Sequence, residues 1–205
     1  MLFQEAILTG ESSSERIDQD LHMRVIAGTR KSLPLKTVSG MGTRPTTDRI
    51  KETLFNMLAP YLCESRFLDV FAGSGGIGIE ALSRGASFCC FIEQNSQAIA
   101  CIKENLEKCK FTDAALVLKG DARNASLLLA EKKAYDIVFM DPPYKKGLEK
   151  DVMSSLVNSA LVNDETLYVI EASMETEFSW ISSMGLVCVK EKKYKTNKHM
   201  FLKKK

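Results

Sequence analysis

The sequence predicts a doubly wound α/β fold: a mostly parallel sheet with helices on both faces, an antiparallel C-terminal edge, and a small β-hairpin and helix in front. Three observations carry that expectation. From Phe67 onward, short runs rich in Val, Ile, Phe and Tyr alternate with stretches of helical periodicity, the pattern of βαβ units. The first of these runs leads straight into a glycine-rich turn, Gly73-Ser-Gly75-Gly-Ile-Gly78. The last two runs lie too close together for an intervening helix, so they pair as a hairpin at the sheet edge.

The elements follow in chain order. Residues 1–22 contain Gly10-Glu-Ser-Ser-Ser14 and no sustained period, which reads as a disordered extension. Residues 23–62 are expected to form a hairpin and a helix. Met23 to Ala27 and Leu33 to Val38 are β-like runs around Gly28-Thr-Arg-Lys31. Thr46 or Thr47 then caps a helix whose Ile50, Leu54, Phe55, Met57 and Leu58 fall at helical spacing, with Pro60 as its stop.

Residues 63–205 hold the main domain. FLDVF (67–71) precedes a helix from Gly76 to Arg84, and FCCFIE (88–93) one from Ser96 to Lys110. ALVLKGD (115–121) is followed by a helix near 123–132, YDIVFMD (135–141) by one near 148–160, and TLYVIEA (166–172) by a short one near 175–184. LVCVKEKKY (186–194) and a run near 199–203 close the chain. With 205 residues, 45% of them apolar and 26% charged, one substantial core with a small appendage is the natural size.

Composition narrows the function. No stretch reaches the ~18 apolar residues of a membrane helix, and the N-terminus lacks the order of a signal peptide, so a cytoplasmic protein is expected. None of the six cysteines forms a C-x-x-C pair, and adjacent Cys89 and Cys90 would point to opposite faces of a strand; reduced thiols fit better than disulfides or zinc. His22 and His199, the only histidines, both lie near chain ends and give little basis for a His triad or metal centre. Net charge is +2, but it is unevenly spread. Residues 23–51 carry seven bases against Asp48, and residues 190–205 carry eight lysines against Glu191, on either side of an acidic body. Two basic flanks suggest a polyanion held at the edges.

In a doubly wound sheet, ligands bind beyond the carboxyl ends of the strands. Four of those ends carry an acid: Asp69 within the first run, Glu93 ending the second, Asp121 before Ala122 ending the third, and Asp141 ending the fourth. One strand-end acid is ordinarily a cap or loop residue; four in succession imply a shared pocket. Gly73 and Gly75 let the backbone pass close to a ligand, and Glu93, 20 residues beyond Gly73, is placed to accept from a ribose diol. Asp121 and Ala122 would sit near an adenine amine, and Phe71 reads as a packing residue first and a neighbour of the ligand second. These features alone fit NAD as well as any other adenosine ligand.

The fourth strand end decides between them. It continues as Asp141-Pro142-Pro143-Tyr144, and Asp69-Val-Phe-Ala-Gly-Ser-Gly75 together with Glu93 and this tetrapeptide resembles the Rossmann-like class I S-adenosylmethionine-dependent amino-methyltransferases. With Thr43-Arg44-Pro45-Thr46-Thr47-Asp48-Arg49 and Met23-Arg-Val-Ile-Ala-Gly28 ahead of it, the chain from about 23 to 203 is similar to the 16S rRNA guanine-N2 methyltransferases of the RsmD type. The resemblance implies S-adenosylmethionine as cofactor and 16S rRNA as partner, free or within the 30S subunit, with the enzyme a monomer. It also implies a lid over the methionine end of the cofactor, or an RNA contact, at Arg44 and Thr46.

The tetrapeptide suits that chemistry. A guanine amine is a poor nucleophile because its lone pair is delocalised into the ring. Hydrogen bonds to Asp141 and the Pro142 carbonyl would orient it; Pro142 and Pro143 stiffen the turn, and Tyr144 offers a ring for a displaced base. Rival readings remain: a nicotinamide dehydrogenase, a DNA adenine-N6 or protein glutamine-N5 methyltransferase, and a non-enzymatic RNA-binding module. The last explains the basic ends but not the strand-end acids.

Overall fold

The computed structural model describes residues 23–38, 47–129, 133–144 and 146–205. The extension expected over 1–22, and the lid residues Arg44 and Thr46, lie outside them. Among the described residues, seven strands form one sheet: β1 (Arg66–Val70), β2 (Phe88–Glu93), β3 (Ala115–Lys119), β4 (Ile137–Met140), β5 (Leu167–Ser173), β6 (Leu186–Lys193) and β7 (Asn197–Lys204). Their order is β3-β2-β1-β4-β5-β7-β6, with β1 to β5 parallel and β6 and β7 antiparallel. The doubly wound sheet is as the sequence predicts. The closing hairpin differs in one respect: β7 inserts between β5 and β6, so the last strand is internal and β6 is the edge.

The period-two alternation of the strands divides the core in two. Phe67, Cys89, Phe91, Ile137, Phe139 and Phe201 face helices α1 (Asp48–Leu62), α2 (Gly76–Ser83) and α3 (Ser96–Cys109). Leu68, Cys90, Ile92, Val138, Met140 and Ile170 face α4 (Ala125–Leu128) and α5 (Leu148–Leu156). Cys89 and Cys90 thus lie on opposite faces, and the result is a three-layer sandwich.

Several predicted elements change their limits for local reasons. Thr47 caps α1 by accepting from Ile50 N, but the helix runs through Pro60 to Leu62. Pro60 sits in the last turn, where its missing N–H deprives only one carbonyl of a partner, and buried Leu62 holds the end down. Of the helix expected near 123–132, residues 130–132 lie outside the described ones, and the rest contracts to a 3-10 turn and the four residues of α4; Leu127 is 82% exposed, so little apolar burial supports it. The helix expected near 175–184 is a 3-10 turn at Ser182–Met184.

The predicted N-terminal hairpin reduces to a single antiparallel bridge, Arg24 to Pro34. Across it Val25 N donates to Leu33 O, Ser32 N to Val25 O and Leu35 N to Met23 O, while the donors between and beyond them go to the helices. Ile26 and Ala27 donate to the Glu80 carboxylate of α2, and Lys36 donates to Asn105 Oδ1 of α3. Residues 23–38 therefore form a strap across α2 and α3. Gly28, at φ +85°, sits where a Cβ would collide with the Ser83 carbonyl.

Candidate active site

β1 and β4 are neighbours, yet their successors leave in opposite directions, to β2 on one side and to β5 on the other. In a doubly wound sheet such a switch is where a ligand crevice belongs, here between the loop after β1 and the turn after β4. The first of these is Phe71 to Gly75. Phe71 adopts φ +72°, an uncommon conformation for a non-glycine residue. Gly73 and Gly75 follow at φ +54° and +82°, and α2 starts at once. Asp69 and Glu93 fasten this loop from below. Asp69 is 1% exposed, and its Oδ2 accepts from Gly78 N at 2.9 Å, under the N-terminus of α2. A Cβ at Gly78 would collide with the Phe91 ring, so the bare glycine is what lets the helix approach. Burial pushes the Asp69 carboxyl up to about 7, against the Gly78 hydrogen bond, and nearby Glu93 adds to the rise.

Glu93 is 8% exposed at the end of β2. Its Oε2 accepts from Gly73 N at 2.9 Å, and its Oε1 from Gln94 N and Asn95 N, both at 2.8 Å. One strand further out, Asp121 accepts from Arg123 N and is paired with the Arg123 guanidinium, which holds its carboxyl below the usual range. Buried Ala122 follows it. Asn105 joins this loop to the strap: its Nδ2 donates to both Ser74 O and Lys36 O at 3.0 Å.

On the other side of the crevice, Asp141 follows β4 directly. Burial holds its carboxyl well above the usual carboxylate range, and Glu171, Asp69 and Glu149 reinforce the effect in that order. Tyr144 is 43% exposed, and its hydroxyl donates to Glu171 Oε1 at 3.3 Å. Burial and then Glu171 push the Tyr144 phenol upward. The sheet register explains this convergence. Met140 of β4 pairs with Ile170, so the next residues, Asp141 and Glu171, are adjacent, and Glu171 pairs across β5 and β7 with His199.

The comparisons with known proteins agree with this geometry. The profile of the family described as Conserved hypothetical protein 95 matches residues 23–203. The Bacillus subtilis protein YlbH is 42% identical over 156 residues, 76% of this chain and 85% of its own length. Ribosomal RNA small subunit methyltransferase D of Escherichia coli K12 is 38% identical over 154 residues, 75% of this chain and 76% of its own length. The chain belongs to the ribosomal RNA small subunit methyltransferase D family. In three dimensions it superposes on yhhF from Escherichia coli with a TM-score of 0.76 at 32% identity, over 90% of this chain and 98% of that one.

For this member of the methyltransferase D family, the structure brings Asp69, Glu93 and Asp141 together at the crevice; Asp121 stands at its outer margin. Asp69 lies beneath the loop, where it supports the backbone. Three residues that the sequence reading passed over join the site. Glu171 is a fifth strand-end acid, placed by the same alternation as the other four. Asn197 and His199 reach it from β7. The signal for Glu171 is present in TLYVIEA; the position of His199 near the end of the chain says nothing about its place in the sheet.

Proposed function

We propose that this chain transfers the methyl group of S-adenosylmethionine to the exocyclic N2 of a guanine in 16S rRNA, of the guanine 966 type, acting in the cytoplasm as a monomer on rRNA that is free or within the 30S subunit. The observation that carries the reading is the Asp141 to Tyr144 turn, set across the switch-point crevice from the glycine loop. The name of the Escherichia coli relative supports small-subunit rRNA as the substrate class.

The residues present suit the cofactor. A Cβ at Gly73 would meet nothing within 4 Å, so the loop presents open backbone. Glu93 Oε2 accepts one backbone N–H and retains a lone pair for a ribose hydroxyl. The carboxylates around Asp141 favour a cation such as a sulfonium. When bound, S-adenosylmethionine supplies an electrophilic methyl group.

Asp141 and the Pro142 carbonyl accept from the target amine and orient its nitrogen. Burial raises the Asp141 carboxyl, and a bound sulfonium opposes that rise. In its ionised form the carboxylate, with the carbonyl, favours the positive charge that nitrogen gains as it forms the new bond. Tyr144 stacks the extruded or single-stranded base. The proton leaves the nitrogen after methylation, so no strong base is needed, and much of the acceleration is positional.

The test offers labelled S-adenosylmethionine with naked 16S rRNA, 30S particles, DNA or release factor, and maps the product by mass spectrometry. Label on a 16S guanine N2 is expected. Label only on DNA or protein overturns the reading.

A further inference from the structure

The turn that presents Tyr144 rests on a buried polar row for which the proposed chemistry has no use yet. Tyr144 Oη donates to Glu171 Oε1, and Asn197 Nδ2 donates to the same oxygen at 2.5 Å. His199 Nε2 faces Glu171 Oε2 at 3.0 Å, and its Nδ1 faces the Tyr194 hydroxyl at 3.2 Å. A neutral ring with its hydrogen on Nε2 satisfies both contacts, donating to the carboxylate and accepting from the phenol. Glu171, Asn197 and His199 are 4%, 5% and 0% exposed.

Such a row is expensive as scaffolding. Burying a carboxylate is unfavourable unless donors surround it, and well-packed apolar side chains commonly serve stability as well or better. Here donors from β7, from the β6–β7 connection and from the turn after β4 converge directly or through His199 on one side chain of β5. Two aromatic contacts fix the imidazole further: the Tyr194 ring stands edge-on at 5.1 Å and the Phe139 ring at 6.5 Å. The outermost member of this assembly, Tyr144, is the most exposed. Pro142 and Pro143 restrict the backbone before Tyr144, but its side-chain torsions are not set by them, and the ring is 43% exposed. Its hydroxyl is the point at which the rigid sheet grips it.

We propose that Glu171, held by Asn197 and His199, is the positioning residue for the target base: it anchors the Tyr144 hydroxyl and thereby fixes the ring against which the base stacks beside Asp141. This rests on the reading of the Asp141 to Tyr144 turn given above. A stacking platform that is already ordered spares the complex the entropy of ordering it and keeps the nucleophilic nitrogen in line. Glu171 is also the strongest charged neighbour of Asp141, so it has a second, direct route to the chemistry. The two routes are separable because only one passes through the Tyr144 oxygen.

The experiment is a double-mutant cycle on the full chain with Tyr144→Phe, Glu171→Gln and the pair. Single-turnover methyl transfer is measured on whichever substrate the wild type labels, with S-adenosylhomocysteine affinity by calorimetry and the thermal midpoint as companions. Tyr144→Phe keeps the ring and loses only the anchor; it should slow transfer at saturating substrate by roughly tenfold, with cofactor affinity and midpoint little changed. Glu171→Gln should slow it by at least as much, and the double variant should be no slower than Glu171→Gln alone. Additive losses would show that Glu171 acts without the Tyr144 hydroxyl and overturn the proposal, as would a wild-type rate in Tyr144→Phe. Should the wild type label DNA and not rRNA, the substrate reading falls, and the cycle on DNA still decides this one; label on protein alone, which offers no base to stack, overturns both.

Discussion

Glu80 on α2 and Glu171 on β5 are almost equally buried, at 0% and 4% exposure, but their surroundings differ in kind. Glu80 is ringed by positive charge and backbone donors: Arg84 Nε at 2.7 Å, Lys51 Nζ at 3.5 Å, and the N–H groups of Ile26 and Ala27. Burial pulls the Lys51 ammonium below its ordinary range while Glu80 pushes it back up. Glu171 is met by Tyr144, Asn197 and His199, and the described charges that act on neighbouring Asp141 are all carboxylates. The first arrangement cancels charge and pins the strap to the helices. The second keeps negative potential at the crevice, where a cationic donor and an amine becoming positive would meet it. Burial alone does not tell the two apart; the partner's charge does.

The strongest way to break this comparison is at the crevice. Asp141→Ala is expected to lower single-turnover transfer by about 10²–10³-fold while leaving the thermal midpoint and S-adenosylhomocysteine affinity nearly unchanged. A variant that stays active would remove Asp141 from its role. Glu80→Ala should do the reverse. Stranding Lys51 at 3% exposure costs about 3–5 kcal/mol, visible as a midpoint roughly 10 °C lower, and adding Lys51→Met should restore part of it. If the single variant unfolds at the wild-type midpoint, the scaffold half of the comparison fails.

A third measurement sharpens the contrast through pH. Folding raises the Asp69 carboxyl from 3.8 to about 7, so the folded state binds more protons and stability falls as pH rises across that interval, then stays lower. Asp69→Asn keeps an acceptor for Gly78 N and removes the titration. In urea unfolding its stability relative to wild type should therefore rise by about 1–3 kcal/mol between pH 4 and pH 8. Parallel curves would place the group elsewhere on the scale. The smallest effect lies at the edge strand. Lys192→Glu with Lys193→Glu should weaken RNA binding mainly at low salt and shallow the dependence of affinity on salt by roughly one for each lysine lost. Equal affinities at low salt would exclude both from the interface.

The sequence made the sheet readable where a strand is buried on both faces. FCCFIE coincides with β2, because a continuous apolar run in a parallel sheet has no competing local solution. It was less informative where the outcome depends on a distant partner. Donors of residues 26 and 27 go to Glu80, 53 or more positions away, so the hairpin that local pattern favours is short and is tied to α2. The strand-end acids were legible by alternation alone. Their division of labour was not: nothing in the string separates Asp69, buried under the N-terminus of α2, from Asp141, facing the crevice. Glu171, Asn197 and His199 become a unit only through the register between β5 and β7.

That register also fixes when the site can exist. Residues 69–93 form the loop and its fastenings, and they leave the ribosome well before Asn197 and His199, the donors to Glu171, which follow it by 26 and 28 positions. Until then β6 has no neighbour to pair with, since β7 lies between it and β5. During synthesis the half that would hold the methyl donor can form first, and the half that would hold the base closes last. A nascent chain stalled before residue 197 would carry Glu171 without those two donors, a site half built on a sheet already laid down.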